Sequence, residues 1–268
     1  MRLRAYATAA LDDRIPVIAL AASPFDHRSW EAVARLVTRV PFLVLTGPVE
    51  PVEKPSMHAH VSLIDDTLDA LGIDHAVFAG SGLLGETVLH FAVTHPQRVA
   101  GLAVAGATGA AASLSDRSRW LEATITTMGD AGDPAVTEAI KSLAEDATSA
   151  VTRSKSALIN LMNEWARTCD PREVGWILRA QSTRLDVREE LAELTVPTTI
   201  LRGDNDPHTS REAMSSLVEA LCTVLHHVPG AGNILHFEQP ARFAQAIESL
   251  LPFVCEGNAE RNEAGRRP

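Results

Sequence analysis

"AGSGLLGETVLHFA", residues 79–92, packs a strand end, a tight turn and a helix start into fourteen positions. The apolar run "HAVFAG" (75–80) that enters it has the continuous hydrophobicity of a buried strand. Gly80, Gly82 and Gly85 punctuate the turn. "GETVLHFAVTHP" then places apolar residues at helical spacing until Pro96 closes the segment. "VAGLAVAGA" (99–107) follows as a second fully apolar run. Strand, turn, helix and strand in this order make one βαβ unit of a parallel sheet covered on both faces.

The same alternation extends outward in both directions. Upstream, "IPVIALA" (15–21) and "PFLVLTG" (41–47) read as strands, with helices over "SWEAVARLVTRV" (29–40) and "MHAHVSLIDDTLDALG" (57–72), the latter stopped by Gly72. Downstream, residues 111–190 change character. Ser, Thr, Asp and Ala dominate, Trp120, Trp165 and Trp176 occur, and no strand pattern is visible. The alternation resumes at "VPTTILRG" (196–203) and runs through "REAMSSLVEALC", "TVLHHVP" and "PARFAQAIESLLPF". The expected architecture is α/β, a mostly parallel central sheet flanked by helices. Its core comprises 1–110 and 191–255, a helical cap comprises 111–190, and the polar tail 256–268 is expected to be disordered.

Composition narrows the partners. The chain has 268 residues, 46% of them hydrophobic, enough for one sizeable core. A formal net charge of −10 argues against nucleic acid and anionic membrane, since a polyanion needs a basic face to displace its counterions. A small molecule is the expected ligand, and a homodimer is compatible with the chain. Cys169, Cys222 and Cys255 are widely spaced, which suggests reduced, mostly buried thiols rather than disulfides or a zinc site. His58 and His60, two apart on a helix, point to different faces, so they read as surface groups and not as a metal pair. No metal or other cofactor is implied. The N-terminus carries acids where a secretory signal would not, and no apolar run reaches membrane-spanning length, so a cytoplasmic location is expected.

The segments "SPFDHRSWEAVA", "DDTLDALGIDHAVFAGSG", "HFAVTHPQRVAGLAVAGA", "VPTTILRGDNDPHT" and "GAGNILHFEQPARFAQAI" occur in the order and spacing of the α/β-hydrolase fold superfamily. The chain resembles its small bacterial, enol-lactonase-like branch. The resemblance implies a G-x-S-x-G elbow with a nucleophilic serine, a histidine base and a carboxylate. Counting forward from "LGID" and backward from "HP", the serine falls on Gly82, with Gly80 as the first elbow glycine and Leu84 at the second. The family's "GAGH" is "GAGN" here, which places Asn233 at the base. Asn cannot carry a proton near neutral pH. Asp206 in "GDND" occupies the carboxylate position. The His-Gly after the first strand is replaced by Ala21-Ala22, next to Ser23, and the Asp-x-x-Gly turn by Thr46-Gly47-Pro48-Val49.

Some groups could still act. Ser81 adjoins the vacant position, and serving as nucleophile would require the elbow to shift by one residue; otherwise its hydroxyl bonds the turn. His236 and His208 are candidate bases, each also readable as a structural or solvated imidazole. Asp206 could pair with Asn233 or work as an acid or base on the ligand. The Leu83 N–H, at a helix start, could hold a carbonyl or enolate oxygen. Loss of a side chain at Gly82 enlarges the pocket, and Trp120, Trp165 and Trp176 would suit a flat apolar or polycyclic ligand. Three functions follow: a non-hydrolytic enzyme of cyclase, lyase or isomerase type, of the kind expected in secondary metabolism; a non-catalytic binding protein; or an ester or lactone hydrolase using Ser81, His208 or His236.

Overall fold

The computed structural model describes residues 1–264 apart from positions 9 and 131, with side chains as far as position 254. Its centre is a seven-stranded sheet: β1 (Leu3–Ala7), β2 (Val17–Leu20), β3 (Phe42–Pro48), β4 (Ala76–Ser81), β5 (Val99–Ala105), β6 (Thr198–Gly203) and β7 (Leu225–Val228). The order is β1-β3-β2-β4-β5-β6-β7, parallel throughout except for the antiparallel β1–β3 pair. β1 has no counterpart in the sequence reading. Its pattern is short and only Leu3 is fully buried, so nothing in it resembles the apolar runs of the other strands.

Alternation of side chains divides the core into two layers. Ile18, Leu20, Leu43, Leu45 and Phe78 face one side, and Val17, Ala19, Phe42, Val44 and Val77 face the other. α2 (Met57–Leu71) and α3 (Leu83–Thr94) cover the first face through Ile64, Leu68, Leu89 and Phe91. α1 (Glu31–Ala34), preceded by a short 3-10 turn, covers the second with Trp30 and Val33, and α12 (Pro240–Ala264) adds Phe243 and Ile247. The helix expected over 29–40 is therefore much shorter. Burial on both faces explains why β2 to β5 read as unbroken apolar runs.

Between β5 and β6 lie α4 (Leu114–Thr127), α5 (Pro134–Asp146), α6 (Ala150–Arg153), α7 (Ser156–Thr168), α8 (Pro171–Ser182) and α9 (Arg188–Leu191). α10 (Arg211–Ala220) and α11 (Leu235–Glu238) flank the last strand. α12 carries helical backbone through Ala264, where a disordered tail was expected from 256. Ala, Glu and Arg favour helix even where little apolar area can be buried, and positions 265–268 lie outside the described residues. Cys222 is exposed and Cys169 half-buried, against the expectation of buried thiols; the side chain of Cys255 lies outside the described residues. No helix among the described residues is long and apolar enough to cross a membrane.

One carboxylate fastens the helical layer to the sheet. Glu238, buried on α11, accepts from Ser149 N at 2.9 Å, Thr152 Oγ1 at 2.7 Å and Gly232 N at 2.9 Å. The Asn233 N–H adds a bond to Ala147 O at 3.1 Å. Removing the carboxylate strands three donors, two of them backbone amides. Glu238→Ala should cost about 3 kcal/mol in urea unfolding, and Glu238→Gln, which keeps one acceptor oxygen, should cost less.

Candidate functional site

The strand order reverses between β2 and β4, and in open parallel sheets the crevice beyond the strand ends at such a point holds the ligand. Two loops meet there: residues 21–25 after β2, and the turn between Ser81 and Leu83. That turn is a single residue, Gly82, at φ 57° and ψ −128°, a conformation that L side chains rarely adopt. Gly80 is needed for a different reason. A Cβ on it would stand 2.6 Å from the Leu84 carbonyl oxygen, so the first turn of α3 could not close over the strand. The Leu83 N–H opens that helix and therefore has no intrahelical acceptor.

Asn233 faces the turn. Its Nδ2 donates to Gly106 O at 3.1 Å and to Asp206 Oδ2 at 3.0 Å. Both partners can only accept, which fixes the amide orientation and leaves Oδ1 toward Gly82. A Cβ on Gly82 would overlap that oxygen, and a Cβ on Gly106 (φ 58°) would stand 2.5 Å from Nδ2. The carboxamide is wedged between two bare backbones. Asp206 completes the arrangement: its oxygens also take the N–H groups of His208 (2.8 Å) and Thr209 (3.2 Å) and the Thr209 hydroxyl. It is buried behind Asn233 and is not among the residues lining the cavity.

The other candidates separate. Ser81 is buried at the end of β4, and its Oγ accepts from the backbone N–H of His236 at 3.4 Å, a weak contact to the backbone rather than to an imidazole. The His236 ring stacks on Trp30 at 4.0 Å and 8°, with Nε2 3.0 Å from Ser29 Oγ. Burial pushes its pKa down to about 3, because the interior disfavours the charged ring. His208, an exposed residue, lines the cavity rim with Nε2 3.9 Å from Asp146 Oδ2.

The cavity measures about 330 Å³. Ala22, Ser23, Gly82, Leu83, Trp120 and Asn233 line it, together with Ser81, His208 and His236. The Ser23 hydroxyl is already engaged, donating to Glu173 Oε2 of α8 at 2.7 Å. Trp165 and Trp176 lie outside the lining, contrary to expectation. Trp165 packs edge-on to Phe25, and Trp176 edge-on to His60, so each joins the helical layer to the core instead. His60 is itself buried rather than on the surface. It shares the i, i+3, i+4 stripe of Met57, Val61, Ile64 and Leu68, and burial lowers its pKa to about 3. Sequence reasoning missed Glu86 and Arg184, which also line the cavity. The signal for Glu86 was present, since a carboxylate within the apolar run "GETVLHFAV" needs buried donors; it finds them in Thr108 N, Thr108 Oγ1 and Gly109 N at 3.0–3.1 Å. Among the described residues no cluster of three or more His, Cys, Asp or Glu is placed to hold a metal ion.

Two outcomes follow from this geometry. Gly82→Ser should destabilise the fold by about 2 kcal/mol or more through overlap with Asn233 and should yield no esterase activity; Asn233→Ala in the same chain should recover part of the loss in urea unfolding. The buried imidazoles set an acid dependence. From about pH 6.5 down to about 3 the unfolded chain binds protons at His60 and His236 that the folded chain refuses. Stability present above pH 6.5 is therefore lost as pH falls, by about 1.4 kcal/mol per pH unit for each ring. His60→Phe should flatten the fall in stability between pH 6.5 and 4.5 by about one ring's share.

The profile of the Ndr family matches residues 49–255. The chain is 25% identical over 245 residues to 3-oxoadipate enol-lactonase 1 of Acinetobacter baylyi, spanning 85% of each protein. Among solved structures it is similar to a thermophilic esterase from Thermogutta terrifontis, with a TM-score of 0.82, 21% identity, and 94% and 93% of the two chains covered. It is also similar to the enol-lactonase from Burkholderia xenovorans, with a TM-score of 0.79, 16% identity, and 93% and 96% covered. The structural likenesses establish the fold. With the family profile spanning most of its length, this chain belongs to the Ndr family of the α/β-hydrolase superfamily.

Proposed function

We propose that this protein is a non-catalytic small-molecule-binding member of its superfamily, one that keeps the cavity and has lost the catalytic triad. The observation that carries the reading is the meeting of Gly82 and Asn233, with the amide oxygen occupying the space a side chain on the turn would need. Hydrolysis through a covalent intermediate requires a nucleophile and a base in reach of it. Gly82 supplies no nucleophile, and Asn233 accepts no proton near neutral pH. Ser81 is buried against a backbone N–H, and His236 stays uncharged down to about pH 3. What persists is a mainly apolar cavity with Leu83, the first residue of α3, in its wall, which suits retention of a carbonyl compound without turnover.

One observation favours a second reading, a non-hydrolytic enzyme of the cyclase, lyase or isomerase type. His208 is an exposed residue whose imidazole lies on the cavity rim beside Asp146, placed where it could move a proton on a bound ligand. A single experiment tests both. The ligand is sought by native mass spectrometry of protein isolated from its host, and its mass is followed during long incubation with purified protein. Binding with unchanged mass supports the first reading, and turnover that collapses in His208→Ala supports the second. A fluorophosphonate serine probe should leave the protein unlabelled; labelling that disappears in Ser81→Ala overturns both.

A further inference from the structure

Arg184 sits between α8 and α9, 9% exposed, in the cavity wall. A guanidinium carries five N–H donors, and few of these are used here. Nε donates to Ala110 O at 3.1 Å, and Nη1 reaches Gln181 Oε1 only at 3.4 Å. Nη2 has no hydrogen-bond acceptor among the described residues. Glu86 Oε1 stands 3.7 Å from it, an ion-pair distance too long for a hydrogen bond. Nor does Glu86 depend on this contact, because three other donors already serve it. The guanidinium carbon lies 5.2 Å from the centroid of the Trp120 ring, which holds the planar cation against an aromatic face.

The surrounding charges select the ligand. Glu86, Asp116 and Asp146 line the cavity against Arg119 and Arg184, so its walls already carry an excess of negative charge. A carboxylate would add to that excess, whereas a neutral carbonyl accepts from Nη2 without doing so. Leu143, Val174 and Ile177 offer apolar wall for the rest of the molecule. We propose that Arg184, held by Trp120, is the specificity-determining residue of this cavity and binds the carbonyl oxygen of a neutral, mainly apolar lactone, ester or ketone. The assignment rests on the small-molecule reading above and gives it a ligand class.

Calorimetric titration of the full chain with coumarin, naphthalene and trans-cinnamate tests it. Coumarin and naphthalene share a flat bicyclic shape, but only coumarin offers a carbonyl; cinnamate offers a carboxylate. Coumarin should bind about tenfold or more tightly than naphthalene, the scale of one hydrogen bond from a charged donor, and more tightly than cinnamate. In Arg184→Met the coumarin advantage should vanish while naphthalene affinity changes by less than about twofold, a pattern that general loss of structure would not produce. Should Arg184→Met unfold, Glu86→Gln/Arg184→Met removes both charges and allows the same comparison. Equal binding of coumarin and naphthalene by the unaltered protein, or a preference that survives loss of Arg184, overturns the assignment. Tighter binding of cinnamate overturns its neutral-ligand part. If neither bicycle binds, the small-molecule reading fails first and the assignment falls with it.

Discussion

The contact between the Asn233 carboxamide and the backbone at Gly82 constrains everything around it. The amide is held on its donor side by Gly106 O and Asp206, so its oxygen cannot turn away from the turn. That fixed oxygen requires a residue without a Cβ at the end of β4 and itself fills the space next to the bare turn, so the missing side chain does not enlarge the pocket there as the sequence suggested. Asp206, buried and fully engaged by neutral donors, is the anchor of this arrangement rather than a group facing a ligand.

The sheet brings these parts together through its order. β2 and β4 are adjacent while their connections leave in opposite directions, so the loop at 21–25 and the turn at Gly82 converge above one gap. The helices between β5 and β6 close over it, with Trp120, Val174 and Arg184 facing inward. Polar groups in this wall are mostly spent on one another: Ser23 on Glu173, and Glu86 on Thr108 and Gly109. Arg184 differs because its donors outnumber its acceptors, and that surplus marks where recognition of a polar atom can occur.

Much of the fold was legible in the residues. Continuous apolar runs marked β2 to β5, the resumed alternation marked β6 and β7, and Gly72, here at φ 66°, ended α2 where expected. β1 escaped because an edge strand with one buried residue carries no periodic signal. At the site, motif register located Gly82, Asn233 and Asp206, and the structure brings these three into contact. Their steric interlock was not legible, since it depends on positive backbone torsions at Gly82 and Gly106 that no local pattern reveals. The tryptophans misled for a related reason: Trp120, Trp165 and Trp176 look alike as residues, and only packing separates the one on the cavity from the two in the core. His60 was misplaced because its polarity outweighed its position on an apolar stripe.

The bonds from Glu238 and Asn233 to residues 147–152 give the helical layer a seam along one border. α8 and the residue after it add a second seam: Glu173 takes the Ser23 hydroxyl at 2.7 Å, Gln181 Nε2 donates to Leu83 O at 2.7 Å, and the Thr183 hydroxyl accepts the Met57 N–H at 2.8 Å. A cover fastened along two borders keeps the chamber's shape with or without a guest, so selection falls to a preformed wall rather than to closure around the ligand.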